Sequence, residues 1–347
     1  MKVHDLDTPA LVLDLDVLER NIQGMAARCD ELGIALRPHT KTHKIPEIAH
    51  MQVAAGARGI NCQKLGEAEV MARAGLRDIM ITYNIVGPTK VGRLIELARW
   101  ANMMVTADSD AVVEGISHQA GHAGCTIRVL VELDTGGQRT GVQSPQDALA
   151  LGRRIMDLPG LSLQGIMTYP SMTRAKPFLD ETLALFGENG LPTNIISGGG
   201  TGHEAISKEL GCTETRSGSY IYEGLSRISK REDLDPARCP LSVLATVVSV
   251  PMADRIIIDG GQKTFRARPT NPYGLIVEHP EAVIYGMSVE HGHVDVSGCN
   301  HRFRVGEKLS VIPQHAGMTS NLHDEVAGVR DGQVEAIWAI RGRGRVR

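Results

Sequence analysis

A chain of 347 residues exceeds one ordinary hydrophobic core, so it calls for one large domain and a smaller one. With 42% hydrophobic and 22% charged residues it reads as a soluble globular protein, and a net charge of −3 gives no footing for nucleic acid or an anionic membrane. No apolar run approaches the ~20 residues of a membrane span, and Met1-Lys2-Val3-His4-Asp5 lacks a signal-peptide core, which points to the cytoplasm.

The run Leu11-Val12-Leu13-Asp14-Leu15 predicts a strand, and Asp16 is placed to cap a helix with Val17, Leu18, Ile22, Met25 and Ala26 at helical spacing. A short buried strand, Ile34-Ala35-Leu36, then enters the basic stretch Arg37-Pro38-His39-Thr40-Lys41-Thr42-His43-Lys44. A helix over 46–55 follows. Strands at 59–61, 79–83, 103–107, 127–134, 163–169 and 194–197 alternate with helical sequence, for instance over 65–74 and 89–101. Such alternation implies parallel βαβ units, and about eight of them suggest a closed (β/α)8 barrel.

After Arg238-Cys239-Pro240 the pattern changes. Runs at 244–250, 255–259, 282–287, 308–312 and 333–340 are rich in Val, Ile and Gly without helical spacing, which reads as a C-terminal all-β domain. The expected division is a barrel over 1–238 and a β domain over 239–347, with the first few residues able to join the latter. Arg341-Gly342-Arg343-Gly344-Arg345 reads as a solvated tail. The six cysteines (Cys29, Cys62, Cys125, Cys212, Cys239 and Cys299) form no CxxC pair, as expected of reduced thiols.

In a (β/α)8 barrel the chemistry sits on the loops after the strands, and several candidate residues fall there. Lys41 follows a strand and stands among Arg37, His39, His43 and Lys44; neighbouring cations disfavour an ammonium and leave a nucleophilic amine, although a solvated basic loop has the same composition. Ser197-Gly198-Gly199-Gly200-Thr201-Gly202 leaves another strand, and its backbone can cradle a phosphate or simply make a tight turn. It has no Walker lysine and comes too late for a dinucleotide fingerprint. Arg139, after the strand ending at Asp134, can stabilise an anionic oxygen or close a loop ion pair with Asp134. Asn61-Cys62-Gln63-Lys64-Leu65-Gly66-Glu67 can be a helix-capping turn or can place Gln63 beside a ligand.

Arg37-Pro38-His39-Thr40-Lys41-Thr42-His43-Lys44 resembles the pyridoxal-phosphate lysine motif of the D-threonine aldolase and D-serine dehydratase family, which has the alanine-racemase-like fold. The resemblance runs from Asp7-Thr8-Pro9-Ala10 to Trp338-Ala339-Ile340-Arg341-Gly342. It implies that Lys41 carries the internal aldimine, with Lys44 next in line, and that Ser197, Gly198, Gly199, Gly200 and Thr201 hold the 5′-phosphate. It further implies that Arg139 faces the phenolate oxygen and that Gln63, Tyr169 and Tyr220 lie beside the cofactor. Pro170-Ser171 departs from the family's Gly-His after Tyr169. A homodimer is implied as well, as is a small β-hydroxy amino acid as substrate.

The family's His-x-Cys or His-x-Asp pair, which binds a divalent Mn, Mg or Zn ion, is here His315-Ala316-Gly317. Glycine offers no side-chain ligand, so His315 is left as metal ligand with His323 or Asp324, or as a base or hydrogen-bond partner on its own. Expelling hydroxide benefits strongly from a Lewis acid, whereas retro-aldol cleavage needs only removal of the hydroxyl proton. The expected reaction is therefore aldol cleavage of a β-hydroxy D-amino acid to glycine and an aldehyde. Dehydration of D-serine or 3-hydroxyaspartate, racemisation, and noncatalytic carriage of the cofactor are the alternatives.

Overall fold

The computed structural model describes residues 1–229, 235–266 and 272–347. By contacts it divides into two compact units. One comprises 24–41, 46–218 and 345–347, the other 1–23, 42–45 and 219–344.

The first unit is the barrel. Its strands are β2 (Ala35–Leu36), β3 (Ile60–Cys62), β4 (Asp78–Ile81), β5 (Asn102–Ala107), β6 (Ile127–Leu133), β7 (Leu161–Thr168), β8 (Ile195–Gly199) and β9 (Glu214–Arg216), in the sheet order β2-β9-β8-β7-β6-β5-β4-β3. All neighbouring pairs are parallel. The Arg58 N–H donates to Leu36 O and the Asn61 N–H to Pro38 O, which joins β3 to β2 and closes the sheet. Helices α2 (Pro46–Ala54), α3 (Leu65–Arg73), α4 (Pro88–Ala98), α5 (Asp110–Ala123), α6 (Pro145–Asp157), α7 (Lys176–Glu188) and α8 (Glu204–Glu209) alternate with the strands. Strand side chains such as Ile79, Ile81, Val105 and Val129 are fully buried in one large apolar cluster with Ala68, Leu94, Ile116 and Ile155 of the helices. A second cluster of Met80, Met104, Leu130, Met167 and Ile195 carries the alternate side chains of the same strands.

The second unit is a nine-stranded sheet in the order β11-β14-β13-β12-β15-β10-β1-β16-β17. Its members are β1 (Ala10–Asp14), β10 (Leu241–Met252), β11 (Arg255–Ile258), β12 (Gly274–Ile276), β13 (Val283–Met287), β14 (Gly292–Asp295), β15 (Lys308–Pro313), β16 (Glu325–Arg330) and β17 (Gln333–Ala339). β10 also pairs with β11, so six of the strands close on themselves.

Three details differ from the sequence reading. The first strand is not part of the barrel series: β1 runs antiparallel to β10 and parallel to β16 in the nine-stranded sheet. Asp14, not Asp16, caps the following helix α1 (Leu15–Leu32), its Oδ1 accepting from the Val17 N–H at 2.9 Å. The arginine-rich C-terminal stretch does not trail into solvent throughout. The carbonyl of Arg347 accepts from the Gly66 N–H at 2.8 Å and from Arg93 Nη2 at 3.3 Å, and a Cβ at Gly66 would lie 2.7 Å from that carbonyl.

Candidate active site

The C-terminal ends of the barrel strands gather most of the candidate residues. Lys41 sits in a short 3-10 turn, Thr40–Thr42, just beyond β2. Its Nζ donates to Gln63 Oε1 at 3.4 Å and its backbone N–H to His39 Nδ1 at 3.4 Å. With Nδ1 accepting, the neutral His39 ring carries its hydrogen on Nε2, which donates to the same Gln63 oxygen at 3.1 Å. Burial, then the neighbouring Lys41, push the His39 imidazole well below its ordinary range, so the ring stays neutral. The orientation of the Gln63 amide is fixed from its other end, where Nε2 donates to Thr82 O at 2.9 Å.

The turn at Gln63 caps the helix that follows, and its side chain points the other way. Glu67 Oε2 accepts from the Gln63 and Lys64 N–H groups and caps α3, while the Gln63 side chain faces Lys41. Lys41 is exposed at the mouth, yet the surrounding walls remove enough water to lower its pKa. Arg139 and Arg216 lower it further, against an opposing pull from Glu67.

Arg139 pairs with Glu132 rather than with the side chain of Asp134 in an ion pair: Nη2 lies 3.5 Å from Glu132 Oε1. Glu132, 3% exposed on β6, also accepts from Thr140 Oγ1 at 2.6 Å and Thr106 Oγ1 at 3.0 Å. Asp134 instead shapes the loop by accepting from the Gly136, Gln138 and Arg139 N–H groups. Although burial pushes its carboxyl up, the Gln138 and Gly136 amides hold it below the usual range. Gly141 is required here, because at φ +123° a Cβ would meet the Asp134 nitrogen at 2.3 Å. The Arg139 guanidinium lies 4.9 Å from the centroid of the Tyr169 ring, just beyond β7.

The glycine run is built to let backbone approach. A Cβ at Gly198 would fall 2.6 Å from Ser171 Oγ, and one at Gly199 3.2 Å from Arg216 Nη2; Gly200 has φ +117°. Ser171, which departs from the family pattern, is buried here. Its Oγ accepts from the Gly199 N–H at 2.9 Å and from Ser207 Oγ at 2.8 Å. Thr201 Oγ1 accepts from the Gly218 N–H at 3.0 Å. Glu204 Oε1 accepts from the Gly202 N–H and Ser217 Oγ, which locks the turn. The helix that follows has only six residues, so the turn rather than a long helix dipole forms the cradle.

Arg216 received no role from the sequence. It is 4% exposed on β9; Nη1 donates to Ser197 Oγ and Nη2 to Thr168 O at 2.9 Å. Burial lowers its pKa to about 10, with Glu214 and Glu132 opposing. Its one advance signal was a charged residue on a strand that closes the barrel.

Tyr220 and His315 fall in the other unit. Tyr220 is 4% exposed in the turn Ser219–Ile221. His315 is exposed and caps the short helix α9 (Ala316–Ser320), its Nδ1 accepting from the Met318 N–H at 3.2 Å. His323 Nε2 is within 3.1 Å of Thr264 O, and burial lowers its pKa. Lys44 Nζ donates to Asn321 Oδ1 at 2.7 Å. The metal reading of His315 finds no supporting donor set among the described residues, where the one group of three close metal-ligating side chains is His279, His301 and Glu307. A Cβ at Gly317 would press on Thr42 Cγ2 and Thr42 O, both at 3.3 Å, so a ligating side chain there would be tight. Among the described residues, those around His315 do not assemble a donor set for a divalent ion.

A closed (β/α)8 barrel with an activated lysine and a glycine cradle at its mouth, joined in one chain to a unit built on a nine-stranded sheet, defines a pyridoxal-phosphate lyase of the alanine-racemase fold. Residues 13–225 match the model of the alanine racemase N-terminal domain, and residues 240–329 match a putative serine dehydratase domain. A D-threonine aldolase from Arthrobacter sp is 38% identical, over 98% of this chain and 93% of that protein. A D-threo-3-hydroxyaspartate dehydratase from Delftia sp. (strain HT23) is 31% identical, over 97% of this chain and 98% of its own. The crystal structure of D-threonine aldolase from Filomicrobium marinum superposes with a TM-score of 0.93 at 33% identity, covering 100% of this chain and 98% of the other. The chain belongs to the alanine racemase N-terminal domain family, in its D-threonine aldolase-like branch.

Pyridoxal phosphate suits this mouth on two observations. A Cβ is shut out at Gly198 and crowded by Arg216 at Gly199, and the Lys41 amine facing Gln63 has a lowered pKa.

Proposed function

We propose that this protein cleaves a β-hydroxy D-amino acid of the D-threonine type to glycine and an aldehyde. The observation that carries this reading is the Lys41 amine, lowered in pKa and held against Gln63 in the same barrel mouth as Arg139, Arg216 and the glycine cradle. Lys41 would hold the cofactor covalently, Ser197 to Thr201 its phosphate, and Gln63, Arg139, Tyr169 and Tyr220 its ring. When bound, the cofactor supplies an electron sink for the pair released from the Cα–Cβ bond. Arg139, always cationic, stabilises an anionic oxygen and does not deliver a proton. Neutral His39 holds Gln63 in place without adding a second charge beside Lys41.

His315 is assigned the substrate's hydroxyl proton. While Nδ1 accepts from Met318, the neutral ring bears its hydrogen on Nε2; taking the substrate proton on Nδ1 means giving up that hydrogen bond, worth about 1 kcal/mol. Gly317 supplies no donor to polarise a departing hydroxide, which favours cleavage over dehydration.

Product analysis of the cofactor-loaded enzyme with D-threonine and D-serine tests this reading. Glycine plus acetaldehyde is expected, whereas 2-oxobutyrate or pyruvate would mean a dehydratase. His315→Ala and His315→Gln are both expected to lower kcat by about 10²- to 10⁴-fold, the range of a lost proton transfer. A His315→Gln enzyme near full activity would reduce the residue to a hydrogen-bond donor. We also infer a homodimer, supported by exposed Val250, Met252, Tyr285 and Val305 on the β unit. A monomer at micromolar concentration with full activity, by sedimentation, would overturn it.

A further inference from the structure

Strand register brings two connecting segments of the β unit to one end of its sheet. Val283 opposes Asp295 in the β13–β14 pair, and Ile276 opposes Val311 in the β12–β15 pair. The β12–β13 connection (277–282) and the β14–β15 connection (296–307) therefore leave from the same end. The second has no strand or helix of its own, and connections of such length usually need an anchor.

Side chains from both segments meet there. His279 heads a turn in which the Ala282 N–H donates to His279 O at 3.0 Å, with Pro280 preset for the corner. The ring of His301 stacks on that of His279, with centroids 4.7 Å apart and planes 26° apart. Buried Phe303 presents its ring edge-on to both, at 4.8 Å from each. Glu307 closes the group: Oε1 lies 2.8 Å from His301 Nε2, and Oε2 accepts from the Arg304 N–H at 3.1 Å. One ligand atom each from His279, His301 and Glu307 all lie within 4.8 Å of one another. A second carboxylate is at hand, with Glu281 Oε1 3.7 Å from His279 Nδ1. His301 is 42% exposed, so an ion reaches the cluster from its side.

We propose that His279, His301 and Glu307 form a binding site for a borderline divalent transition-metal ion, zinc foremost, that pins the two connections together. Two imidazoles and a carboxylate are the donor types zinc takes, with bonds of about 2.0–2.2 Å, and they suit magnesium or calcium poorly. Tetrahedral donors then sit about 3.4 Å apart, so the 2.8 Å His301–Glu307 spacing must open, the wider spacings must close, and the exposed His301 ring must turn out of its stack on His279 to share the ion. Glu281 or solvent fills the fourth position. The site is made of residues other than His315, and its occupancy is independent of the lyase chemistry.

The test uses the full-length, cofactor-loaded enzyme, stripped of metal by a chelator and titrated with zinc chloride against a chromophoric competitor. His301→Gln and Glu307→Gln, with folding checked by circular dichroism, are expected to weaken one equivalent of zinc at least about tenfold, since even outer partners of a metal ligand are worth 10–100-fold. His315→Gln is expected to keep that equivalent. Zinc is expected to raise the thermal midpoint of the wild type and not of the two cluster variants. Equal zinc uptake and affinity in the wild type and both cluster variants overturns the proposal. So does a wild type that takes up no zinc below millimolar concentration, or zinc displaced by an equal concentration of magnesium.

Discussion

Replacing Lys41 by alanine is expected to abolish the visible absorption of lysine-bound pyridoxal phosphate and to cut lyase activity by at least about 10³-fold, while the same change at Lys44 leaves the absorption in place. The two lysines are three residues apart in one basic stretch, yet their surroundings differ. Lys44 Nζ is committed to Asn321 at 2.7 Å, whereas Lys41 faces Gln63 with a lowered pKa. Only an uncharged amine condenses with an aldehyde. Lowering the pKa brings that form in at lower pH, so cofactor uptake by the apoprotein should rise with pH and level off below the ordinary lysine range. After the loss of water, Arg139 is the largest cause of the lowering. Arg139→Leu should therefore move the uptake profile to higher pH, read by stopped-flow absorbance. An unchanged profile would remove Arg139 from the account, and a Lys41→Ala protein with its absorption intact would mean that another lysine holds the cofactor.

What could be read from the sequence was whatever lies contiguous in it. The lysine stretch and the glycine run each carry their chemistry in under ten residues, and the alternation of strand and helix exposes the barrel. Arg216 was not legible as a site residue, because its significance comes from Ser197 and Thr168, brought to it by strand pairing across tens of residues. Glu132 is similar, joining Thr106 of one strand to the adjacent Arg139 and Thr140 of a later loop. The place of β1 was hidden for another reason. Leu11 and Leu13 fit any buried strand, and only the register with Leu241 to Leu244 and with Ala327 to Val329 assigns them to the β unit. The His279, His301 and Glu307 group has no motif at all, being assembled from two connections.

Arg37→Leu is expected to destabilise the protein by about 3–5 kcal/mol in urea unfolding, the cost of leaving buried charges without their partner. Arg37 is 0% exposed inside the barrel, where its Nε lies 3.1 Å from both Glu214 oxygens and Nη1 donates to Asp78 at 2.5 Å. Gly59 makes room for it, since a Cβ there would sit 2.6 Å from Nη1. Burial disfavours the guanidinium charge, but Glu214 and Asp78 outweigh it and leave the pKa raised. Once Arg37 is gone, Glu214 keeps only the hydroxyl of Ser197 among its observed partners. The double change Arg37→Met with Glu214→Leu removes both buried charges and should recover much of the loss, because the two ions no longer have to be stripped of water. A double variant as unstable as the sum of its parts would refute that reading of the pair. The recovery should not extend to the site. Glu214 accepts from Ser197 Oγ at 2.7 Å, and Ser197 in turn accepts from Arg216 at the barrel mouth. The double variant should therefore fold well and bind pyridoxal phosphate more weakly than the wild type, separating what the buried charges do for the barrel from what they do for the cofactor.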